Sequence, residues 1–452
     1  MSQIQTRRLS PSNWAFFGFI ACIPLLAGYL LANGRYFLIL ALFFIAAVVF
    51  LYLKNIEAFI LMSLAINHEM FNLLPDDLLG GARYQGLLYV VLLITGGIYF
   101  LLENREPPRY FIYNIFALLV LTVISVTHAA FMGQPLIMGI KASKSYFLIL
   151  FFFVFVSRHI DVARLFRYIV LAGIILTLIN NIQYFTGIQI FFHNREMFRI
   201  GQIRFLSGGL FLIFSLILAF AEFLHSKKKW CLAATVHIGF TIVFQGQTRM
   251  TIFGIFLTFL LLMYLMDYLD FKRIVFVGIP IFVVFIWLVP IIQSTFFGDL
   301  YQLTRYELRQ RGGNFGVRLD TYDYYLKEIK KSPIIGRGIW NDQWKQNNPE
   351  DMKYMGLHLG DIGMTSLAFH MGIAGVVWLI LLLSRVFKLC FEKGLKINSM
   401  IHPGIVGYFI FGIVTFLTLN SFTRYRAVIY LALALALISQ MRKDAPSVEP
   451  SD

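Results

Sequence analysis

Between Ser294 and Gly360 a nearly continuous apolar chain turns polar, and that stretch carries most of the side chains able to do chemistry. It holds Arg305, Arg309, Arg311 and Arg318, then the turn Pro333-Ile-Ile-Gly-Arg-Gly338, then Trp340, Trp344 and Tyr354. It closes on His358, with Asp361 just beyond. Two further segments are basic: Gln245-Gly-Gln-Thr-Arg249, and His193–Arg204 with Arg195, Arg199 and Arg204. A guanidinium is planar, permanently charged and forked, which suits the oxygens of a phosphate or carboxylate. Tryptophan and tyrosine rings offer flat surfaces for the apolar C–H faces of sugars. Each residue also has a plainer reading. Arg318 can pair with Asp320, Trp340 and Trp344 can belong to an interfacial aromatic belt, and Asp361 can simply cap a helix. His358 can be an ordinary loop histidine.

The elements that must hold these groups are membrane spans. The chain of 452 residues is 58% hydrophobic and only 14% charged, which excludes an ordinary soluble domain. Runs such as Phe37–Leu53 and Ile274–Ile292 are long enough to cross roughly 30 Å of hydrocarbon. The expected fold class is an all-α polytopic membrane protein, a bundle of about 12–14 transmembrane helices. Predicted spans are 13–32, 37–53, 57–74, 86–102, 111–131, 140–156, 164–186, 206–224, 230–246, 250–269, 274–293, 363–384, 404–421 and 426–441. They divide the chain into membrane helices over 1–293, a large external loop with short amphipathic helices over 294–362, C-terminal membrane helices over 363–441 and a tail over 442–452. The polar start with Arg7 and Arg8 leads into a run without a small-residue cleavage site, which reads as a retained span.

Charge sets the orientation. The net charge of +15 comes mainly from short loops, the signature of a membrane protein attracted to anionic lipids rather than of a nucleic-acid binder. With the N-terminus inside, the inner loops collect Arg7 and Arg8, Lys54, Arg105 and Arg109, Arg158, Arg164 and Arg167, Lys227–Lys229, Lys272 and Arg273, Arg385 to Lys396, and Arg442 with Lys443. Both termini are then cytoplasmic and Ser294–Gly360 lies outside. The outer arginines at 195–204, 249 and 318 oppose that preference, so something other than topology retains them, either function or salt bridging within a loop rich in both signs of charge. Cys22, Cys231 and Cys390 lie far apart and suggest neither a disulfide framework nor a metal site.

Within the loop, Leu319, Tyr322, Leu326 and Ile329 recur at helical spacing until Pro333 stops them, which predicts a short amphipathic helix on the membrane-domain surface. Arg318 falls at its predicted start, where free backbone N–H groups and the helix dipole also favour an anion. The span after Asp361 carries Gly372-Ile-Ala-Gly375, a small-residue surface for close helix packing. His237 and His370 lie inside spans and read as packing or hydrogen-bonded residues.

Taken in order, these motifs resemble the O-antigen ligase and O-antigen polymerase superfamily of bacterial envelope enzymes. Gln247-Thr-Arg249-Met-Thr looks like the family's Ser/Thr-Arg turn at the outer start of a span. Gly316-Val-Arg318, followed by Tyr322, Leu326, Ile329 and Pro333–Gly338, resembles its large-loop segment. His358 through Gly375 resembles its histidine-led segment running into a Gly-x-x-Gly span, and the resemblance covers roughly residues 200–440. In ligases of the family a histidine stands about eleven residues before the first glycine of that pair. Here that position is Asp361, with His358 three residues earlier, which looks more like the polymerase branch.

The resemblance implies a glycosyltransferase of the bacterial inner membrane that polymerises undecaprenyl-diphosphate-linked oligosaccharide repeat units into O-antigen, capsule or exopolysaccharide. It implies no metal and no nucleotide cofactor, inversion at the anomeric carbon, and membrane lipids, a flippase and a chain-length regulator as companions. Arg249 and Arg318 would stabilise the leaving diphosphate, and His358 or Asp361 would accept the proton of the acceptor hydroxyl. Arg195, Arg199, Arg204, Arg337, Trp340 and Trp344 would bind substrate. Two alternatives compete. One is a ligase that moves finished polymer onto lipid A–core or protein. The other is a lipid-linked oligosaccharide flippase or transporter, for which intramembrane charges and internal repeats are expected. Glu222 and Asp267 sit near predicted inner ends, and no repeat is visible.

Overall fold

The structure, a computed structural model, describes residues 36–73, 84–102, 110–191, 197–199, 202–204, 206–246, 248–268, 313–341, 344, 359, 362–391, 397, 401–416 and 418–443. The protein is an all-α polytopic membrane protein with one small antiparallel ribbon. The helices are α1 (Tyr36–Lys54), α2 (Ile56–Asn67), α3 (Tyr84–Leu102), α4 (Ile112–Phe131), α5 (Leu136–Val156), α6 (Val162–Thr186), α7 (Gly209–Ser226), α8 (Lys229–Thr241) and α9 (Arg249–Leu265). They continue with α10 (Gly313–Lys331), α11 (Gly363–Cys390), α12 (Pro403–Phe416) and α13 (Val428–Lys443). The ribbon pairs β1 (Met197–Arg199) with β2 (Gln202–Arg204) between α6 and α7.

Among the described residues, α4, α5, α6, α7 and α11 are long and apolar enough to cross a membrane, and six shorter apolar helices accompany them. These match the predicted spans apart from 230–246, where the chain forms α8 and a π-helical turn instead, and 13–32 and 274–293, which lie outside the described residues. Boundaries differ where hydropathy cannot see backbone geometry. The span predicted over 57–74 ends as a helix at Asn67, and the one predicted to start at 140 starts at Leu136 behind Pro135. Pro135 stands as the N-cap there, a place where the missing N–H costs nothing.

At the centre lies α13, whose residues Val428–Ile438 are all buried. Its alternation of leucine with Ala432, Ala434 and Ala436 lets neighbouring helices approach on every side, as small residues do in membrane bundles. It packs on the second half of α5 and on α11, while α7 joins α6, α8 and α12, and α12 carries α9.

Residues of the predicted inner loops gather at one end. Lys54, Glu57, Arg158, His159, Asp161, Arg164 and Gln440 line one cavity of about 730 Å³, and Arg158 lies over the Tyr52 ring at 5.3 Å. At the same end Arg442 donates to the Leu389 carbonyl at 2.6 Å. The opposite end, the loop end, holds α10 and its turn. If basic loops set the sidedness, a membrane-impermeant thiol reagent added outside cells is expected to label Gln346→Cys and to spare Lys228→Cys. The reverse labelling would overturn the orientation and every outer-face assignment with it.

Candidate active site

At the loop end, two motifs distant in sequence join. Helix α11 breaks at Gly372, where φ 64° and ψ −159° are angles that essentially only glycine adopts. The break frees backbone groups that a continuous helix would satisfy internally, and the Pro333–Gly338 turn takes them up. Ile373 N–H donates to the Pro333 carbonyl at 2.8 Å, Ala374 N–H to Ile334 at 3.1 Å, and Arg337 N–H to Phe369 at 2.7 Å. Backbone meets backbone here: a Cβ on Gly336 would lie 2.5 Å from both the Gly372 nitrogen and the Phe369 oxygen. The Gly372–Gly375 pair is therefore more than the helix-packing surface that its spacing suggests, because Gly372 is the socket for the turn.

The far side of the turn is fastened to α4 and α5. Ile339 N–H donates to Ser125 O at 3.3 Å, and the Ser125 hydroxyl donates to His370 O at 2.9 Å. Gln134 bridges by giving its amide to Ile339 O at 3.0 Å and accepting Asn341 N–H at 2.7 Å. Tyr146 meets the His370 ring nitrogen Nδ1 at 3.0 Å, so His370 is a hydrogen-bonded structural residue, as its place in a span suggests.

Arg337, Trp340 and Trp344 come together on this junction. Arg337 Nε lies 3.3 Å from Glu328 Oε2, its guanidinium sits 5.5 Å from the Trp340 ring centre, and Trp340 Nε1–H donates to the Arg337 carbonyl at 2.7 Å. Trp340 meets Trp344 edge to face at 5.5 Å and Phe369 at 5.6 Å. Glu328 also pairs with Lys331. Salt bridging within the loop is thus real at Arg337.

It does not extend to Arg318. Among the described residues this half-buried guanidinium has no carboxylate partner, and Asp320 is exposed and not paired with it. Its charge is felt at Tyr322, whose phenol burial pushes up and Arg318 partly pulls back. The helix starts earlier than its apolar spacing predicts. Gly313 and Gly316 are already helical, which moves Arg318 into the second turn and away from the free N–H groups of the terminus. Its claim on an anion rests on its own charge, which no carboxylate among the described residues meets.

Arg249 is the first residue of α9, behind a π-helical turn over Ile242–Gly246. Gln245, buried, gives its amide to Asn181 Oδ1 at 2.7 Å, and Asn181 donates to Thr241 at 3.1 Å, tying that turn to α6. Such turns mark irregular backbone held for a purpose at many functional sites. Arg199 and Arg204 lie in the ribbon, paired with Gln202 and Met197. Arg195, Arg305, Arg309, Arg311, Tyr354, His358 and Asp361 lie outside the described residues.

Residues 233–380 match a family model described as O-antigen ligase. That match supports the O-antigen polymerase and ligase superfamily. No curated protein sequence matches the chain. The superfamily segment runs from α8 through most of α11, so it includes Arg249, Arg318, the turn and its Gly372 socket. It supports an O-antigen ligase- or polymerase-type membrane enzyme of polysaccharide assembly, a family whose substrates are lipid-linked glycans.

Sequence reading passed over one loop-end feature. The α12–α13 loop carries Arg424 and Arg426, and the alternation of basic loops puts it on the same side as Arg318. Arg426 pairs with Glu69 at 3.0 Å. Glu69, Met70, Phe71 and Asn72 all have φ between 51° and 58°, a left-handed turn without glycine. Such angles cost L-residues roughly 1–2 kcal/mol each, so the surroundings must impose them. The signal available in advance was the arginine pair, since it too opposes the topological preference.

Proposed function

We propose that this protein is a polysaccharide polymerase of the bacterial inner membrane, with both termini cytoplasmic and the α10 end outside. Its substrate is an undecaprenyl-diphosphate-linked oligosaccharide, and its product is a longer chain on the same kind of carrier. The observation that carries this reading is the docking of the Pro333–Gly338 turn into the Gly372 break. Through it, the helix bearing Arg318 and the span that follows His358 and Asp361 share one rigid junction inside the superfamily segment.

In the proposed reaction the acceptor hydroxyl attacks the anomeric carbon while the carbon–oxygen bond to diphosphate breaks. The electron pair of that bond departs with the diphosphate, and Arg318 with Arg249 meets the added charge. The hydroxyl proton goes to a base, and attack opposite the leaving group inverts the anomeric centre. Diphosphate leaves readily, so no general acid is needed. Arg337, Trp340 and Trp344, held on the junction, and the basic segment with Arg195, Arg199 and Arg204 line the approach of glycan and phosphate. Polymerase is favoured over ligase because the residue eleven before Gly372 is Asp361 rather than histidine.

His358 is the preferred base, since an imidazole with pKa about 6.5 is largely neutral outside the cell, whereas a solvated carboxylate near 3.9 is a weaker acceptor. Folded His358→Ala enzyme, given lipid-linked repeat units, is expected to make no polymer, and Asp361→Asn to retain much of its activity. The opposite pattern would assign the proton to Asp361. Transfer of finished polymer to lipid A–core by the wild-type protein, without chain growth, would replace polymerase by ligase.

A further inference from the structure

The α12–α13 loop, outside the segment that matches the superfamily, is built rather than loose. Asn420 Oδ1 accepts from both the Thr423 amide at 2.9 Å and its hydroxyl at 2.7 Å, and Ser421 meets Thr415 at 2.7 Å. Phe422 is buried, and Ala427 N–H closes a turn onto Arg424 O at 2.7 Å. Asn67 gives its amide to the Arg426 carbonyl at 3.0 Å. Arg424 and Arg426 thereby stand two residues apart just before α13, whose N-terminal dipole adds to their pull on an anion.

Their surroundings carry unused polar capacity. Arg424 is exposed and, among the described residues, has no partner. Arg426 keeps 41% of its side-chain surface open although Glu69 holds it. The hydroxyls of Tyr425 and Tyr89 are buried and, among the described residues, have no hydrogen-bond partner, unusual for such groups in a native structure. They are neighbours: burial pushes the Tyr425 phenol up, Tyr89 and Glu69 push it further, and Arg426 opposes them.

The left-handed turn anchors this cluster from below. Ser207 Oγ donates to Phe71 O at 2.5 Å, and Phe71 packs on Phe211 at 4.9 Å. The ribbon strand ending at Arg204 is only three residues before Ser207, so two basic segments flank one strained turn. On the other side the loop meets the catalytic span. Gly363, two residues after Asp361, lies so close to the Phe416 and Leu419 carbonyls that a Cβ there would clash with both.

Chain growth sets a charge requirement that one arginine pair does not meet. The donor's diphosphate leaves, but the acceptor keeps its own, so two lipid diphosphates must be held at once. We propose that Arg424 and Arg426, the latter held on the Glu69–Asn72 turn, bind the diphosphate of the lipid-linked acceptor. This rests on the polymerase reading. Glu69 keeps Arg426 in place until the anion arrives, and Tyr89 and Tyr425 supply neutral donors close by.

The test uses full-length protein in phosphatidylcholine nanodiscs titrated with undecaprenyl diphosphate, with bound copies counted by native mass spectrometry. Wild type is expected to bind two, and Arg424→Ala to weaken one of them by roughly tenfold with no change in thermal stability. Arg426→Lys, which keeps a cation for Glu69 but loses the fork, is expected to weaken the same site. Unchanged binding in both variants would overturn the proposal. So would loss of the Arg424-dependent copy in phosphatidylglycerol nanodiscs, because the site would then belong to an ordinary phospholipid headgroup. Two copies in Arg318→Ala but one in Arg424→Ala would leave the acceptor site standing and remove the donor assignment instead.

Discussion

Arg318→Ala is expected to slow polymer formation by roughly 10²–10³-fold, the scale of losing one fixed donor to developing charge, with no loss of thermal stability. The two halves of that expectation have separate causes. Arg318 has no carboxylate partner among the described residues, so its removal strands no buried charge and leaves α10 packed on α11 through other side chains. The charge it would meet arises only as the glycosyl bond breaks, so the rate falls rather than the fold. Arg318→Lys is expected to be nearly as slow, because an ammonium lacks the fork that spans two phosphate oxygens. Purified variants given lipid-linked repeat units, with products resolved by length on gels, decide it. Wild-type ladders from both variants would remove Arg318 from the chemistry. A lowered melting temperature would make it a structural residue after all.

Gly336→Ala and Gly372→Ala are expected to destabilise the protein by several kcal/mol and to abolish polymer formation, through the junction alone. A methyl group on Gly336 would meet backbone nitrogen and oxygen at 2.5 Å, and one on Gly372 would meet the Ile334 carbonyl. Neither neighbour is a flexible side-chain end that could swing aside. Both positions also have positive φ, which adds strain whatever space is made. The turn must leave its socket, stranding the Ile373, Ala374 and Arg337 amides that it now satisfies. Gly96→Ala is the control, a helical glycine with nothing within 4 Å of its missing Cβ. Melting curves in detergent, with protease nicking near Pro333 as a local reporter, separate the cases. Near-wild-type melting for Gly336→Ala would mean that the turn has room to shift.

The helical class, most span positions and the family likeness were legible because each rests on local pattern. Apolar run length reports a membrane span, and turn residues announce themselves by type. The same locality explains the errors. Apolar spacing starts the helix at Arg318, yet it already runs at Gly313, since packing against α11 outweighs glycine's modest helix penalty. His68 to Asn72 reads as the end of a span, yet the chain there coils left-handed because Ser207, Phe211 and Arg426 hold it. No window of residues contains those partners.

By itself the sequence determined that the chain crosses a membrane many times, which loops share an end of the bundle, and which polar segments stand out against the apolar background. All three follow from the cost of burying charge and backbone in hydrocarbon, a cost that each residue carries wherever it sits. Only the tertiary structure decided that the Pro333–Gly338 turn fills the break at Gly372, that Arg337 is paired while Arg318 has no carboxylate partner among the described residues, and that Arg426 meets Glu69 on the left-handed turn. Those outcomes depend on which carbonyl, carboxylate or ring arrives from far along the chain, and hydrogen bonds and ion pairs discriminate between partners over tenths of an ångström, a resolution that residue type and spacing do not carry.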